Sequence, residues 1–269
     1  MASSPTRDPR LEEMLLASDA AYFALASQNI DLDGALLSVS PDFGPMPSAC
    51  AVTSVSREPT RGFEPQWLFE LEPRLRNLGF GFARIYLSSP HPLSAALQER
   101  DYQSRTELGF FGNLPDLAPS SGLSICRLDT DADWDEKLRI HRGSLVQPDG
   151  YEATPDRWLA FERAKCRTGQ MTAYLAWEGS QAVGTFCTLE HDGFLRLKNL
   201  VVRAAARRQG FGERIIQQAL QLSLDKQLGG VVAMAVSGSA GERLYRGAGM
   251  TPIGRVVEWR KELCRTDWE

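Results

Sequence analysis

One order of elements occurs twice in this chain, about 148 residues apart, and it limits the possible folds more than any other feature. Residues 82–87 form an apolar, strand-like run, 88–92 turn, 93–100 suit a short helix, and 102–108 resume a strand. In the second half, 231–236 read as a strand, 237–239 turn, 240–246 suit a short helix, and 250–259 are extended again. The offset carries Leu97 onto Tyr245 and Tyr102 onto Met250. A longer amphipathic helix precedes each unit. Over 213–228, Ile216, Leu220, Leu224 and Leu228 recur at i+4, and Gly229-Gly230 stop the helix. Over 66–78 the stripe is Trp67, Leu68, Leu71, Leu75 and Leu78, with Pro73 inside it, so a kink or a late start is expected there. A repeated plan at one offset implies tandem duplication of an α/β unit.

The segment GNLPDLAPSSG at 112–122 lacks periodicity and is rich in Pro, Gly and Ser. The expected division is a first domain at 1–117, a linker at 118–122 and a second domain at 123–269. The second begins with a strand at 123–128 and helices at 132–144 and 154–165. An antiparallel set follows at 171–178, 181–190 and 194–202. A length of 269 residues accommodates two such domains. A net charge of −4 disfavours nucleic acid as a partner. No apolar run approaches the ~18 residues of a membrane span. The start MASSPTRDPRLEEMLL lacks a signal core, so a cytoplasmic location without membrane attachment is expected. Five cysteines without a CxxC read as reduced thiols, and three unpaired histidines give no metal site.

The stretch LVVRAAARRQGFGERII at 200–216 carries the chemistry. A strand ends, a short loop follows, and a helix opens at Gly210-Phe211-Gly212. The first turn of a helix leaves N–H groups unpaired, and with the helix dipole they suit an anion such as a pyrophosphate. Glycines at 210 and 212 let the backbone approach phosphate oxygens, while Arg207 and Arg208 add charge at the rim. The plainer reading of Arg203, Arg207, Arg208 and Arg214 is a solvated basic face. A dinucleotide fingerprint would need GxGxxG, but position 215 is Ile, and the Lys-Ser/Thr of a P-loop is absent.

The Val-rich strand followed by Arg207-x-x-Gly210-x-Gly212, with Leu244-Tyr245 and Gly249-Met250 further on, resembles the GNAT superfamily of acyl-CoA-dependent N-acyltransferases. The resemblance covers about 140 residues and implies two tandem GNAT-like domains of the α/β (α+β) class, each a mixed, largely antiparallel sheet with flanking helices. It implies transfer of an acetyl group from acetyl-CoA to a primary amine of a small molecule, by direct attack in a ternary complex. The pyrophosphate would sit on Arg207, Arg208, Gln209, Gly210, Phe211 and Gly212, and the pantetheine arm would pair with Leu200, Val201 and Val202. A bulge in that strand would splay it from the next and free an N–H to polarise the thioester carbonyl.

Tyr245 matches the family's proton donor to the departing thiolate. Where members often place a glutamate base, this chain has Arg196; Glu190 or His191 could substitute. Many members have Asn where Gly238 stands, so Ser237 or Ser239 would take over a cofactor contact. In the first half, Glu64 and Pro65 stand at the glycine loop and Leu97 at the tyrosine. A carboxylate repels phosphate and proline offers no N–H, so this half is expected not to bind CoA. The acceptor pocket is expected from 146–151, with Trp158, Glu190 and the first half contributing. Turnover with any amine would separate this reading from a CoA-binding sensor or scaffold, and an open groove would favour a protein or peptide acetyltransferase. A monomer or a homodimer is expected.

Overall fold

Eleven strands form a single sheet in a computed structural model that describes residues 9–44, 46–57, 64–113, 122–143 and 154–263. The first half contributes α1 (Pro9–Ala24), β1 (Gln28–Asp31), β2 (Leu36–Val39), β3 (Cys50–Thr53), α2 (Gln66–Asn77), β4 (Phe82–Ser88), α3 (Ser94–Glu99) and β5 (Gln103–Gly112). The second contributes β6 (Leu123–Arg127), α4 (Asp131–Arg142), α5 (Pro155–Cys166), β7 (Met171–Glu178), β8 (Gln181–His191) and β9 (Phe194–Val202). It ends with α6 (Phe211–Asp225), β10 (Val231–Val236), α7 (Ala240–Gly247) and β11 (Thr251–Glu262). Strands β7, β9 and β10 have the expected bounds. Helix α2 runs through Pro73 without a break, its apolar stripe buried by Trp67, Leu68, Leu71 and Leu75.

The sheet order is β1-β2-β3-β4-β11-β5-β10-β9-β8-β7-β6. Among the described residues only β3–β4 and β9–β10 pair in parallel, so the sheet is mixed and largely antiparallel. The final strand of each half lies inside the other half: β5 pairs with β10 and β11, and β11 with β4 and β5. Moving each first-half strand by the sequence offset lands on its counterpart, β4 on β10 and β5 on β11. The β5–β11 pair is therefore the centre of an approximate two-fold arrangement. Residues 118–121 of the expected linker lie outside the described residues.

The two faces carry different cores. Helices α6 and α7 cover one through Ile215, Ile216, Ala219, Leu220 and Tyr245, packed on Phe110, Leu195, Leu197 and Ala233. Helices α1, α4 and α5 cover the other, where Leu15, Tyr22, Ile140 and Leu159 meet Tyr86, Cys187, Val232 and Val256. Helix α4 opens with a capping box: Thr130 accepts from the Asp133 N–H, and Asp133 accepts from the Thr130 N–H.

Candidate functional site

The sheet opens between β9 and β10. These strands pair only at Leu195–Val231 and Arg196–Val232, so β9 beyond Arg196 has no β-ladder partner on that side among the described residues. On its other side, β9 shifts register against β8 between Thr185 and Cys187, where Asn199 takes φ +53°. A register shift with an extra residue in one strand is a bulge, which bends that strand away from its neighbour. Leu200, Val201 and Val202 follow it, half-buried on the open edge. Expected bulge and expected splay thus coincide at one residue that sequence reading did not single out.

At the top of the opening the chain turns through Arg207–Gly210 into α6. Arg208 has φ +60° and Gly210 φ +79°, the latter as the N-cap of α6. Such alternation points successive N–H groups the same way and makes an anion-binding concavity. The N–H groups of Arg208, Gln209, Gly210, Phe211, Gly212 and Glu213 have no acceptor among the described residues. The helix dipole adds positive potential at the same point. Arg207 donates from Nε to the Val202 carbonyl at 3.2 Å, and Arg208 is exposed. These donors fit a pyrophosphate. The two glycines have different reasons: Gly210 holds a left-handed conformation, whereas a Cβ on Gly212 would lie 2.8 Å from Leu244 of α7. Gly212 is thus also a packing requirement between helices. Ser239 caps α7, its Oγ accepting from the Glu242 N–H at 3.2 Å.

The Tyr245 ring is buried against Phe110 of β5, ring centres 5.4 Å apart, so the first half supplies its wall. Burial pushes its hydroxyl up to about 12, with the Arg196 charge pulling it down in part. It stays protonated at neutral pH, as a proton donor must. No hydrogen bond engages its hydroxyl among the described residues, and it is not one of their sealed, unpaired polar atoms.

Glu190 is not brought to this place. It lies at the end of β8 and pairs with Lys226, just past the C-terminus of α6. The glycine loop is at the other end of that helix, about 22 Å away at 1.5 Å per residue over its 15 residues. His191 sits at the same hairpin end, 3.3 Å from Asp192. Arg196 is 1% exposed and pairs with Asp19 of α1 at 2.8 Å. Lys198 meets the same carboxylate at 2.9 Å. Burial raises the Asp19 carboxyl, but the charges of Arg196 and Lys198 outweigh it and hold it at about 2. Residues 146–151 of the expected acceptor pocket lie outside the described residues. Trp158 packs on Phe161, ring centres 6.0 Å apart. What sequence reading missed on this face comes from the first half: Asp19, Tyr22, Arg105 and Glu107. The available signal was an aspartate inside the apolar run MLLASDAAYFAL at 14–25.

The first half differs at each matching position. Glu64 accepts from Arg100 at 2.6 Å where the second half has Gly212. Pro65 is the N-cap of α2, and Leu97 is sealed in the core where Tyr245 would stand. Strands β3 and β4 pair only at Val52–Ile85, and Arg57 ties their ends by donating to the Ser88 Oγ at 2.7 Å.

Comparison with known proteins agrees with this geometry. Residues 135–250 match the acetyltransferase (GNAT) family. Among solved structures, a functionally unknown conserved protein from Staphylococcus epidermidis superposes with a TM-score of 0.70 at 14% identity, over 89% of this chain and 96% of that one. A GCN5-related N-acetyltransferase from Sphaerobacter thermophilus gives 0.59 at 20% identity, over 87% and 82%. A tandem GNAT protein from the clavulanic acid biosynthesis pathway gives 0.59 at 14% identity, over 96% and 95%. No curated protein matches the sequence. The family match thus lies in the second half, across 135–250, and the fold along nearly the whole chain is the one found in solved GNAT structures.

Proposed function

We propose that the second half transfers the acetyl group of acetyl-CoA to a primary amine of a small molecule. The observation that carries this reading is the β9–β10 splay, with its bulge at Asn199, ending at a loop whose N–H groups from Arg208 to Glu213 await an anion. The pyrophosphate would take those amides and the Arg207 and Arg208 side chains. The pantetheine would lie along Leu200, Val201 and Val202. An N–H freed at the bulge would stabilise the oxyanion as the amine attacks, and Tyr245 would protonate the thiolate. Holding amine and thioester in one opening supplies much of the acceleration. The first half would bind no CoA, because Glu64 occupies the phosphate position and Arg57 ties the strand ends.

Thermal unfolding with increasing acetyl-CoA tests the proposal. Stabilisation that grows with ligand is expected for the wild-type chain. It should vanish in Gly210→Glu and weaken in an Arg207→Glu/Arg208→Glu variant, provided both unfold cooperatively without ligand. No shift at millimolar acetyl-CoA would remove the basis for the reading. Binding without turnover of any amine would leave a CoA sensor.

A further inference from the structure

The position of the usual family base is filled by Arg196, whose charge is neutralised by Asp19, so the proton of the acceptor ammonium needs another destination. On the α1 side of the sheet, the carboxylates of Asp19, Glu258 and Glu107 lie within electrostatic reach of one another, while Glu12 of α1 meets Arg57 at 3.8 Å. Asp19 is committed to Arg196 and Lys198. Glu258 is committed to Arg84 and Arg105, each at 2.5 Å. Glu107 has one contact through one oxygen, 3.2 Å from Arg105. Its second oxygen has no partner among the described residues and is not one of their sealed atoms, and its side chain keeps 15% exposure.

Position completes the case. Glu107 lies on β5, the strand exchanged from the first half, opposite Val236 at the end of β10. That end of β10 is where β9 has parted from it. Leu108 and Phe110 face α6 and α7, so by strand alternation Glu107 faces the other side, with Lys198 and Asp19. Burial, with the neighbouring charges of Glu258 and Asp19, raises its carboxyl above the ordinary range, against the opposing pull of Arg105 and Lys198.

We propose that Glu107, carried into the second half's site by strand exchange, receives the cationic acceptor amine and takes its proton. The proposal rests on the acetyl-transfer reading above. One proton passes from the ammonium to the Glu107 carboxylate. The neutral nitrogen then forms a bond to the acetyl carbon, the carbon–sulfur bond breaks, and the thiolate takes the Tyr245 proton. The second nitrogen proton restores the Tyr245 hydroxyl through water, Glu107 releases its proton to solvent, and one proton is released overall. The acceptor class that follows is a small molecule that is a cation before it reacts. The first half is then part of the catalytic centre rather than a cover.

The test compares wild type, Glu107→Gln and Glu107→Asp in the full chain. It follows CoA release with a panel of simple primary amines, and with hydroxylamine as a nucleophile uncharged at neutral pH. Acetyl-CoA stabilisation is measured in parallel. Expected for Glu107→Gln is a loss of about 10²-fold or more with cationic amines at pH 7. Hydroxylamine should be much less affected, rates should recover toward wild type as pH rises and the amines deprotonate, and Glu107→Asp should retain part of the rate. Unchanged acetyl-CoA stabilisation would separate this role from a folding defect. A Glu107→Gln rate within threefold of wild type, or an equal loss with both nucleophiles, would overturn the assignment while leaving acetyl transfer intact. Turnover of no amine by wild type would overturn both, whereas loss of acetyl-CoA binding in wild type would sink the underlying reading first.

Discussion

Replacing Asp19 by Asn tests whether the two halves are held together through one buried carboxylate. Asp19 belongs to α1 of the first half, Arg196 and Lys198 to β9 of the second, and the side chains of Asp19 and Arg196 are 3% and 1% exposed. Its carboxyl lies at about 2, against an ordinary 3.8. Roughly two pKa units at 1.36 kcal/mol each give about 2.5 kcal/mol in favour of the folded state. Breaking a buried pair from one side commonly costs about 3–5 kcal/mol, because a charge is left without compensation. The asparagine oxygen still accepts one hydrogen bond, so about 2.5–4 kcal/mol is expected at pH 7. A carboxyl depressed in the folded state stabilises fully above its unfolded value and loses that contribution as pH falls through its folded value. The difference between wild type and variant should therefore hold above pH ~5, fall to about half at pH ~3 and nearly vanish below pH ~2. Urea unfolding of both chains at pH 7 and pH 3 measures it, provided the slope with denaturant is unchanged. A difference under 1 kcal/mol at pH 7, or one equal at both pH values, would refute the argument.

Other outcomes follow from the same contacts. Tyr245→Phe keeps the ring against Phe110, so acetyl-CoA stabilisation should persist while amine-dependent CoA release falls by about 10²-fold or more. Because burial pushes that hydroxyl up to about 12, the wild-type rate should show no alkaline decline from Tyr245 below pH ~11. Lys137 and Glu162 pair at 3.1 Å with both side chains fully buried, and Glu162→Gln should destabilise by about 3–5 kcal/mol in urea unfolding. Calorimetric titration should give one acetyl-CoA per chain. Arg100→Ala, which breaks a half-exposed pair with Glu64, should change stability by less than about 1 kcal/mol and leave that stoichiometry at one.

Much of this architecture is written locally. The i+4 stripe of Ile216, Leu220 and Leu224 specifies α6 because a helix buries one face, although Leu224 itself lies 56% exposed near the helix end. Alternation and turn residues specify β7, β8 and β9, and the Gly210-Phe211-Gly212 motif places the anion loop because a left-handed N-cap demands glycine. The repeat offset also carries β4 onto β10 and β5 onto β11. Residues 9–53, with α1 and three short strands, carried no such clear period; four-residue strands are too short to show one. Tertiary structure alone decided which strands became neighbours. A strand's pattern states which face is buried but names no partner, and the exchange of β5 and β11 depends on hydrogen bonds between residues well over 100 positions apart. That exchange set Glu107 beside the splay. The docking of α1 on the second half turned the charge at Arg196, which in the sequence read only as a missing base, into the partner of an aspartate from the other half.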